Sequence, residues 1–283
     1  MLWKEFISQI SVVPIAQLSN WRSFGWRALR SVLFIYSAVA LYLYFFSDRM
    51  IFLPPEASYE HVPEQDDTAI VITSQDGNQL AARYLHNPDS QYTILFSHGN
   101  ATDIGGVMPI LLALRDAGFS VLAYDYPGYG HSTGRPTERN AYHAVEAAYD
   151  YLVDELEIAP ENIIVQGQSV GGGPSVYLAA NKPVAGLILE SSFATAFQVV
   201  VPIRIMPFEK FPNIKRIDQI ECPLLLIHGI DDGVIPFSHS EELYAAAQAP
   251  KTLVPIPGAG HNDVLRVGAD TYLQSIQTFA LSL

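Results

Sequence analysis

The amino-acid sequence predicts an α/β protein, with a mostly parallel sheet of eight strands flanked by helices and an N-terminal membrane-spanning helix before it. Two observations support this fold class. After residue 68, short apolar runs alternate with segments of helical periodicity, which is the pattern of βαβ units in a parallel sheet. Before that region, residues 31–47 form an uncharged apolar stretch close to bilayer-spanning length. The 283 residues suffice for one large domain with an appendage, but are few for two full cores.

The composition excludes several classes of protein. Hydrophobic residues make up 49% of the chain and charged residues only 16%, which excludes global disorder. The net charge of −13 disfavours nucleic acid as a partner, because no excess of basic side chains is present to replace phosphate counterions. The single cysteine, Cys222, permits neither an internal disulfide nor a cysteine-based zinc site, so stability must come from a buried core.

The first element along the chain is the apolar stretch, which we interpret as one membrane span over about residues 28–47. It lies in an N-terminal segment, residues 1–55, ahead of one large domain over residues 56–283. The lipid bilayer is then the expected partner. Aromatic residues of the kind found at membrane interfaces stand toward its ends, namely Trp21, Trp26, Tyr42 and Tyr44.

Two alternatives to an uncleaved anchor stay open, a buried core helix and a signal peptide cleaved after Ala38-Val39-Ala40. The region before the stretch is too long for an ordinary signal peptide. Basic residues such as Lys4 and Arg30 precede the stretch, and only Arg49 follows it closely. This bias predicts a cytoplasmic N-terminus, with the domain over residues 56–283 on the opposite side of the membrane.

The remaining elements follow in a regular order until residue 192. Strands are predicted at residues 69–73, 79–84, 92–97, 120–124, 162–168, 184–190, 223–228 and 251–256, and helices at 104–117, 138–155, 170–180, 238–249 and 264–282. Residues 192–217 interrupt this alternation with three prolines and many large apolar side chains, so we predict a lid-like insertion over the sheet. Its apolar residues are Phe193, Phe197, Val199, Val200, Val201, Ile203, Ile205, Met206, Phe208 and Phe211.

The pattern Gly-x-Ser-x-Gly occurs twice, around Ser132 and around Ser169. A nucleophile elbow needs a strand that runs directly into the serine and a helix that leaves it at once. Ser169 has both, whereas Ser132 lies several residues beyond its strand and is followed by Arg135-Pro136, which prevents immediate helical continuation. The context therefore favours Ser169 as a nucleophile and a loop role for Ser132. The glycines near Ser132 do not match a dinucleotide-binding loop either.

A serine hydroxyl becomes a good nucleophile when a histidine removes its proton and a carboxylate orients that histidine. His261 follows the last predicted strand, in a glycine-containing loop, and Asp231 and Asp232 follow the strand before it. Loops at the carboxyl ends of parallel strands converge over one crevice, so these residues are expected to meet Ser169. Periodicity does not choose between Asp231 and Asp232.

An oxyanion site is expected from backbone N–H groups near the nucleophile. The strand that ends in Ser97-His98-Gly99-Asn100 allows close approach of the backbone at Gly99, so that Asn100 presents its N–H. The second donor is the N–H of Val170. We expect His98 to orient this loop rather than to act in catalysis.

Taken together, these residues resemble the α/β-hydrolase superfamily, and in particular its membrane-anchored abhydrolase-domain serine hydrolases. The resemblance runs from about Ile70 to the C-terminus and rests on HGN from His98, DYPGYGHSTG from Asp125, GQSVGGG from Gly167, HGIDDGVIP from His228 and GAGHN from Gly258. It implies Asp232 as the triad acid, Asn100 and Val170 as the oxyanion donors, and no metal or organic cofactor.

The expected activity is hydrolysis of carboxylic ester or thioester bonds through an acyl-enzyme, with Ser169, His261 and Asp232 as the catalytic triad. The apolar insertion and the anchor favour lipid or acyl substrates. Alternatives are a peptidase or amidase on the same triad and a catalytically silent, membrane-bound binding module. The sequence predicts neither the oligomeric state nor the natural substrate.

Overall fold

The computed structural model describes residues 15–60, 66–201 and 205–283, with side chains from residue 24 onward. By its internal contacts the chain divides into two units, Met1–Ser47 and Asp48–Leu283. The sequence-based boundary near residue 55 stays a proposal. Ile203, Lys4 and the side chain of Trp21 lie outside the described part of the chain.

Helix α1 (Ile15–Ile51) contains the apolar stretch. Its portion Phe24–Ile51 has 28 residues, and the most apolar 18-residue stretch within it has a mean hydropathy of 1.7 and no buried residue. At about 1.5 Å per residue this portion is about 42 Å long, which exceeds the roughly 30 Å of a bilayer's hydrocarbon core. Within the described ranges it is the one helix that is long and apolar enough to cross a membrane.

The second unit is built on an eight-stranded sheet with the order β1-β2-β4-β3-β5-β6-β7-β8. Its strands are β1 (Ala69–Thr73), β2 (Gln79–Leu85), β3 (Thr93–Ser97), β4 (Ser120–Tyr124), β5 (Ile163–Gln168), β6 (Gly186–Glu190), β7 (Leu224–Gly229) and β8 (Lys251–Ile256). Strand β2 pairs antiparallel with both β1 and β4, and every other pair is parallel. The predicted α/β fold with a mostly parallel sheet is confirmed.

Helices cover both faces of the sheet, and a few boundaries differ from the prediction. They are α2 (Ile104–Asp116), α3 (Glu138–Asp150), α4 (Gly172–Asn181), α5 (Ala196–Val200), α6 (Ser238–Ala246), α7 (Val264–Val267) and α8 (Ala269–Leu281). The predicted helix over 138–155 changes to a π-helical turn after Asp150. The predicted helix over 264–282 is interrupted at Gly268, where a Cβ would lie 2.6 Å from Cγ2 of Ile256. Close packing against β8 therefore requires glycine at that break.

The central strands of the sheet are apolar on both sides because helices cover each face there. Alternate residues such as Leu95 and Val165 pack with α3 and α4 on one face, whereas Ile94 and Ile164 pack with α2 and α8 on the other. Burial on both faces is the reason that these strands read as continuous apolar runs. Because these strands are parallel, their carboxyl ends lie along one edge of the sheet.

The insertion over residues 192–217 contains no strand in its described part. It holds the short helix α5 and a 3₁₀ turn at Asn213–Lys215. Phe193 and Phe211 are buried, while Val200 is 81% exposed. The segment thus has buried aromatic side chains on its inner side and an exposed apolar side chain on its outer side.

Candidate active site

The geometry of an elbow is present at Ser169, where β5 ends. Ser169 has a φ of +53°, a left-handed conformation that is unfavourable for a residue with a side chain. A Cβ at Gly167 would lie 2.4 Å from the carbonyl oxygen of Gly171, and one at Gly171 would lie 2.1 Å from that of Ser97. The flanking glycines are therefore required by the tight strand-to-helix turn.

Ser169, His261 and Asp232 come from three different loops and meet at the carboxyl edge of the sheet. His261 Nε2 lies 2.9 Å from Ser169 Oγ, and His261 Nδ1 lies 2.7 Å from Asp232 Oδ2. Both distances are within the range for hydrogen bonds. A hydroxyl, an imidazole and a carboxylate in this order can pass a proton from the hydroxyl to Nε2 while the carboxylate holds Nδ1–H.

The carboxylate of Asp232 is enclosed by donors. Its Oδ1 accepts the backbone N–H groups of Val234 and Ile235, both at 2.8 Å. Burial by itself would raise the pKa of Asp232, but the hydrogen bonds from His228, His261 and the Ile235 backbone hold that pKa well below its ordinary value. Asp231, in contrast, has an exposed side chain. The structure thus brings Asp232, and not Asp231, to the histidine.

A second histidine, His228, also contacts Asp232. Its Nε2 lies 3.1 Å from Asp232 Oδ2 and 2.9 Å from the carbonyl oxygen of Ile235. Because both partners are acceptors, we assign the proton to Nε2, and Nδ1 then accepts from the hydroxyl of Ser240 at 2.7 Å. The sequence analysis missed this contact, although the spacing of four residues between His228 and Asp232 was a usable signal.

The proposed oxyanion donors, Asn100 and Val170, line the cavity that also holds Ser169 and His261. A Cβ at Gly99 would lie 3.5 Å from Cβ of Ser169, so the loop after β3 passes close to Ser169. The roles of the two N–H groups remain proposals.

His98 and Ser132 have structural contacts. His98 is buried, with Nε2 3.3 Å from Asp125 Oδ1 and Nδ1 2.7 Å from the carbonyl oxygen of Gly99. Ser132 is 8% exposed, and its hydroxyl donates to the Asp125 carbonyl oxygen at 2.8 Å and accepts the Ala81 N–H at 2.9 Å. Neither side chain is available to a substrate.

A buried polar network that the sequence analysis did not anticipate lies beneath the elbow. Glu190, at the end of β6, accepts from Gln168 Nε2 at 2.9 Å and from the Tyr272 hydroxyl at 2.7 Å. Gln166 donates to the same hydroxyl at 2.7 Å. Complete burial raises the pKa of Glu190 above its ordinary value. The network joins Gln166 and Gln168, in the strand that leads to Ser169, to Tyr272 of α8.

The cavity beside Ser169 has a volume of about 560 Å³ and a largely apolar wall. Part of the wall comes from the end of α1, and part comes from the insertion. Its lining includes Met50, Ile51, Val107, Ile110, Phe193, Ala196, Val199, Val200, Val234 and Ile235. In the described part of the chain, no group of three or more His, Cys, Asp or Glu side chains is placed to hold a metal ion.

Comparison with known proteins gives matches over most of the chain. Residues 92–216 match the family model described as the alpha/beta hydrolase fold. The human alpha/beta hydrolase domain-containing protein 17B is 36% identical over 260 residues, which cover 82% of this chain and 90% of that protein. The Caenorhabditis elegans alpha/beta hydrolase domain-containing protein aho-3 is also 36% identical, with 82% of this chain and 76% of that protein covered.

Solved structures have the same architecture. The Pyrococcus furiosus esterase Pf2001 superposes with a TM-score of 0.66 at 20% sequence identity, over 80% of this chain and 97% of the esterase. At this identity the likeness concerns the fold alone.

Proposed function

The chain belongs to the alpha/beta hydrolase family, and from that premise we propose that it is a serine hydrolase that cleaves carboxylic ester or thioester bonds. The single observation that carries the proposal is the connected series Asp232–His261–Ser169, with separations of 2.7 and 2.9 Å. Such a series activates a serine hydroxyl because the histidine accepts its proton as the new bond forms.

The proposed reaction has two halves. Ser169 Oγ attacks the carbonyl carbon, its proton passes to His261 Nε2, and the N–H groups of Asn100 and Val170 hold the negative oxygen of the tetrahedral intermediate. His261 then protonates the leaving alcohol or thiol as its bond to the carbonyl carbon breaks. In the second half, water attacks the carbonyl carbon of the acyl-enzyme and gives a proton to His261. His261 then returns this proton to Ser169 Oγ as the bond between Oγ and the carbonyl carbon breaks, which releases the carboxylic acid and the free serine.

Three features support an acyl or lipid substrate. The cavity of about 560 Å³ beside Ser169 is in the size range of ligand pockets, and more of its wall is apolar than polar. The insertion contributes Phe193 and Val199 to its wall, which is consistent with a roof over an acyl chain. The helix portion Phe24–Ile51 would keep the enzyme beside membrane lipids.

The test of the activity is covalent labelling with a fluorophosphonate, which reacts with activated serines. We expect stoichiometric labelling of the wild-type protein, complete loss in Ser169→Ala, and unchanged labelling in the matched control Ser132→Ala. Equal labelling of wild type and Ser169→Ala would refute the proposal. A panel of p-nitrophenyl esters, thioesters and anilides of increasing acyl length then separates esterase or thioesterase activity from peptidase-like amide cleavage.

The membrane anchor has its own test. We propose that α1 spans the bilayer with the N-terminus on the cytoplasmic side. The protein should stay in the membrane pellet after alkaline carbonate extraction, and release into the supernatant would refute a span. Protease added to sealed vesicles of known orientation reports the side of the catalytic domain, and digestion from the cytoplasmic face would contradict the proposed topology.

A further inference from the structure

Residues 48–59, which we call the strap, comprise the last turn of α1 and the segment that follows it, and they run along the loop that carries Asn100. The strap is fixed at both ends. Near its start, Asp48 Oδ1 lies 2.8 Å from Lys210 Nζ and accepts the Glu138 N–H at 3.3 Å. Near its end, the hydroxyl of Tyr59 donates to Asp125 Oδ2 at 2.6 Å. Between these ends, Phe52 is 3% exposed and packs edge-on against neighbouring aromatic rings.

The side chain of Asn100 joins the loop after β3, which carries the proposed oxyanion donor, to the strap. Its Nδ2 donates to the carbonyl oxygen of Ile51 at 2.6 Å, and its Oδ1 accepts the N–H of Leu53 at 2.9 Å. The hydroxyl of Tyr129 completes the group, because it donates to Asn100 Oδ1 at 2.6 Å and accepts from the same Leu53 N–H at 2.9 Å. These contacts hold the amide of Asn100 at both its nitrogen and its oxygen.

A second connection holds the far side of the same loop. Asp103 accepts the backbone N–H of Ser58 at 2.6 Å and is also hydrogen-bonded to the Ser58 hydroxyl. Between the two connections, Ala101 has a φ of +53°, which is an unfavourable conformation for alanine. Its own N–H donates to Asn100 Oδ1 at 2.9 Å. The strap therefore maintains a loop shape that the backbone would not favour by itself.

We propose that the strap positions the oxyanion donor: the hydrogen bonds of Ile51, Leu53 and Tyr129 to the Asn100 side chain set the direction of the Asn100 backbone N–H. This inference rests on the proposed function, since it assigns that N–H to the oxyanion site. An oxyanion donor stabilises the transition state only when it is aimed at the developing negative charge, and losing one such donor lowers turnover by about 10²–10³-fold. Tyr129 and the Asn100 side chain are thus positioning residues that act through a backbone group.

The strap also connects the site to α1. Ile51 is the last residue of that helix and belongs to the wall of the cavity beside Ser169. The segment that leaves the proposed anchor is in this way part of the active site rather than a passive linker.

The experiment compares full-length Asn100→Ala, Tyr129→Phe, the double variant and the control Tyr149→Phe. Tyr149 is a suitable control because its hydroxyl donates to a backbone carbonyl, that of Pro183, at 2.8 Å and belongs to neither the strap nor the site. Turnover of p-nitrophenyl butyrate is divided by the amount of serine titrated to the end point with fluorophosphonate. This ratio reports on correctly folded enzyme only.

We expect kcat per titrated serine to fall about 10–100-fold in Asn100→Ala and about 3–10-fold in Tyr129→Phe, with smaller changes in KM. Tyr149→Phe should stay within about twofold of wild type. The double variant should match Asn100→Ala, because Tyr129 acts through the same amide.

Lower thermal stability with unchanged kcat per titrated serine in both single variants would show that the strap is merely structural and would overturn the inference. A wild-type protein without Ser169-dependent turnover would overturn the proposed function as well. The two failures are therefore distinguishable.

Discussion

Replacement of Asp232 by asparagine tests the proposed role of the carboxylate with almost no change in volume. In the folded protein, Oδ1 accepts two backbone N–H groups, and Oδ2 faces His261 Nδ1 at 2.7 Å and His228 Nε2 at 3.1 Å. Asparagine has one oxygen and one NH₂ group. The oxygen will stay with the two backbone N–H groups, so the NH₂ group will face two ring nitrogens.

The expected loss of kcat in Asp232→Asn follows from the position of this NH₂ group. An NH₂ group beside His261 forces Nδ1 to accept, which moves the ring proton to Nε2, the atom that must receive the proton of Ser169. A triad with the wrong tautomer loses about 10⁴-fold in kcat, or roughly 5.5 kcal/mol at 1.36 kcal/mol per decade. Asp231 has an exposed side chain, so Asp231→Asn should change kcat less than about threefold.

The assay is hydrolysis of a short p-nitrophenyl ester, with each rate divided by the serine that fluorophosphonate titrates. Circular dichroism establishes that both variants are folded. Equal losses in Asp231→Asn and Asp232→Asn, or a loss below about tenfold in Asp232→Asn, would refute the assignment of Asp232 as the residue that orients His261.

Three further predictions use the same purified protein. His228→Phe removes a hydrogen bond to the ionised Asp232 and should lower kcat about 10–100-fold, and an unchanged kcat would show that this contact is dispensable. Phe52→Ala should lower the free energy of unfolding by about 3–5 kcal/mol, whereas Leu53→Ala, at an exposed position, should stay within about 0.5 kcal/mol in the same chemical denaturation experiment. Burial by itself would raise the pKa of Asp103, but hydrogen bonds from Ser58 and the Gly106 backbone lower it below the unfolded value of about 3.9. The ionised Asp103 therefore contributes fully to the free energy of unfolding above that pH. This contribution is lost as the pH falls through the folded-state pKa. The difference in melting temperature between wild type and Asp103→Asn should therefore shrink from pH 6 toward pH 3, and a difference that grows would contradict this sign.

The fold and the candidate nucleophile were predictable from local sequence. The alternation of apolar runs with helical patterns located every strand of the sheet, because the central strands are buried on both faces and the helices that cover them are buried on one. Ser169 was favoured over Ser132 by the same local information, since a strand that runs directly into a serine and a helix that follows it are visible in the sequence. The position of His261 after the last strand was visible for the same reason.

Other features were visible only in part. The spacing of motifs left Asp231 and Asp232 equivalent, and only the resemblance to a family favoured Asp232. In the folded chain Asp232 turns inward to backbone donors and two imidazoles, while the side chain of Asp231 faces solvent. Two adjacent residues point in different directions according to the shape of a loop, and periodicity carries no information about that shape.

Local sequence patterns are enough to predict the α/β class, the order of the elements and the preference for Ser169 over Ser132. The contact of His228 with Asp232, the network around Glu190 and the attachment of Asn100 to Ile51 are visible only in the folded chain. Hydrophobic patterning specifies which face of an element is buried, whereas a hydrogen bond between distant segments depends on side-chain directions and distances of a few tenths of an ångström. Those directions are set when the elements pack together.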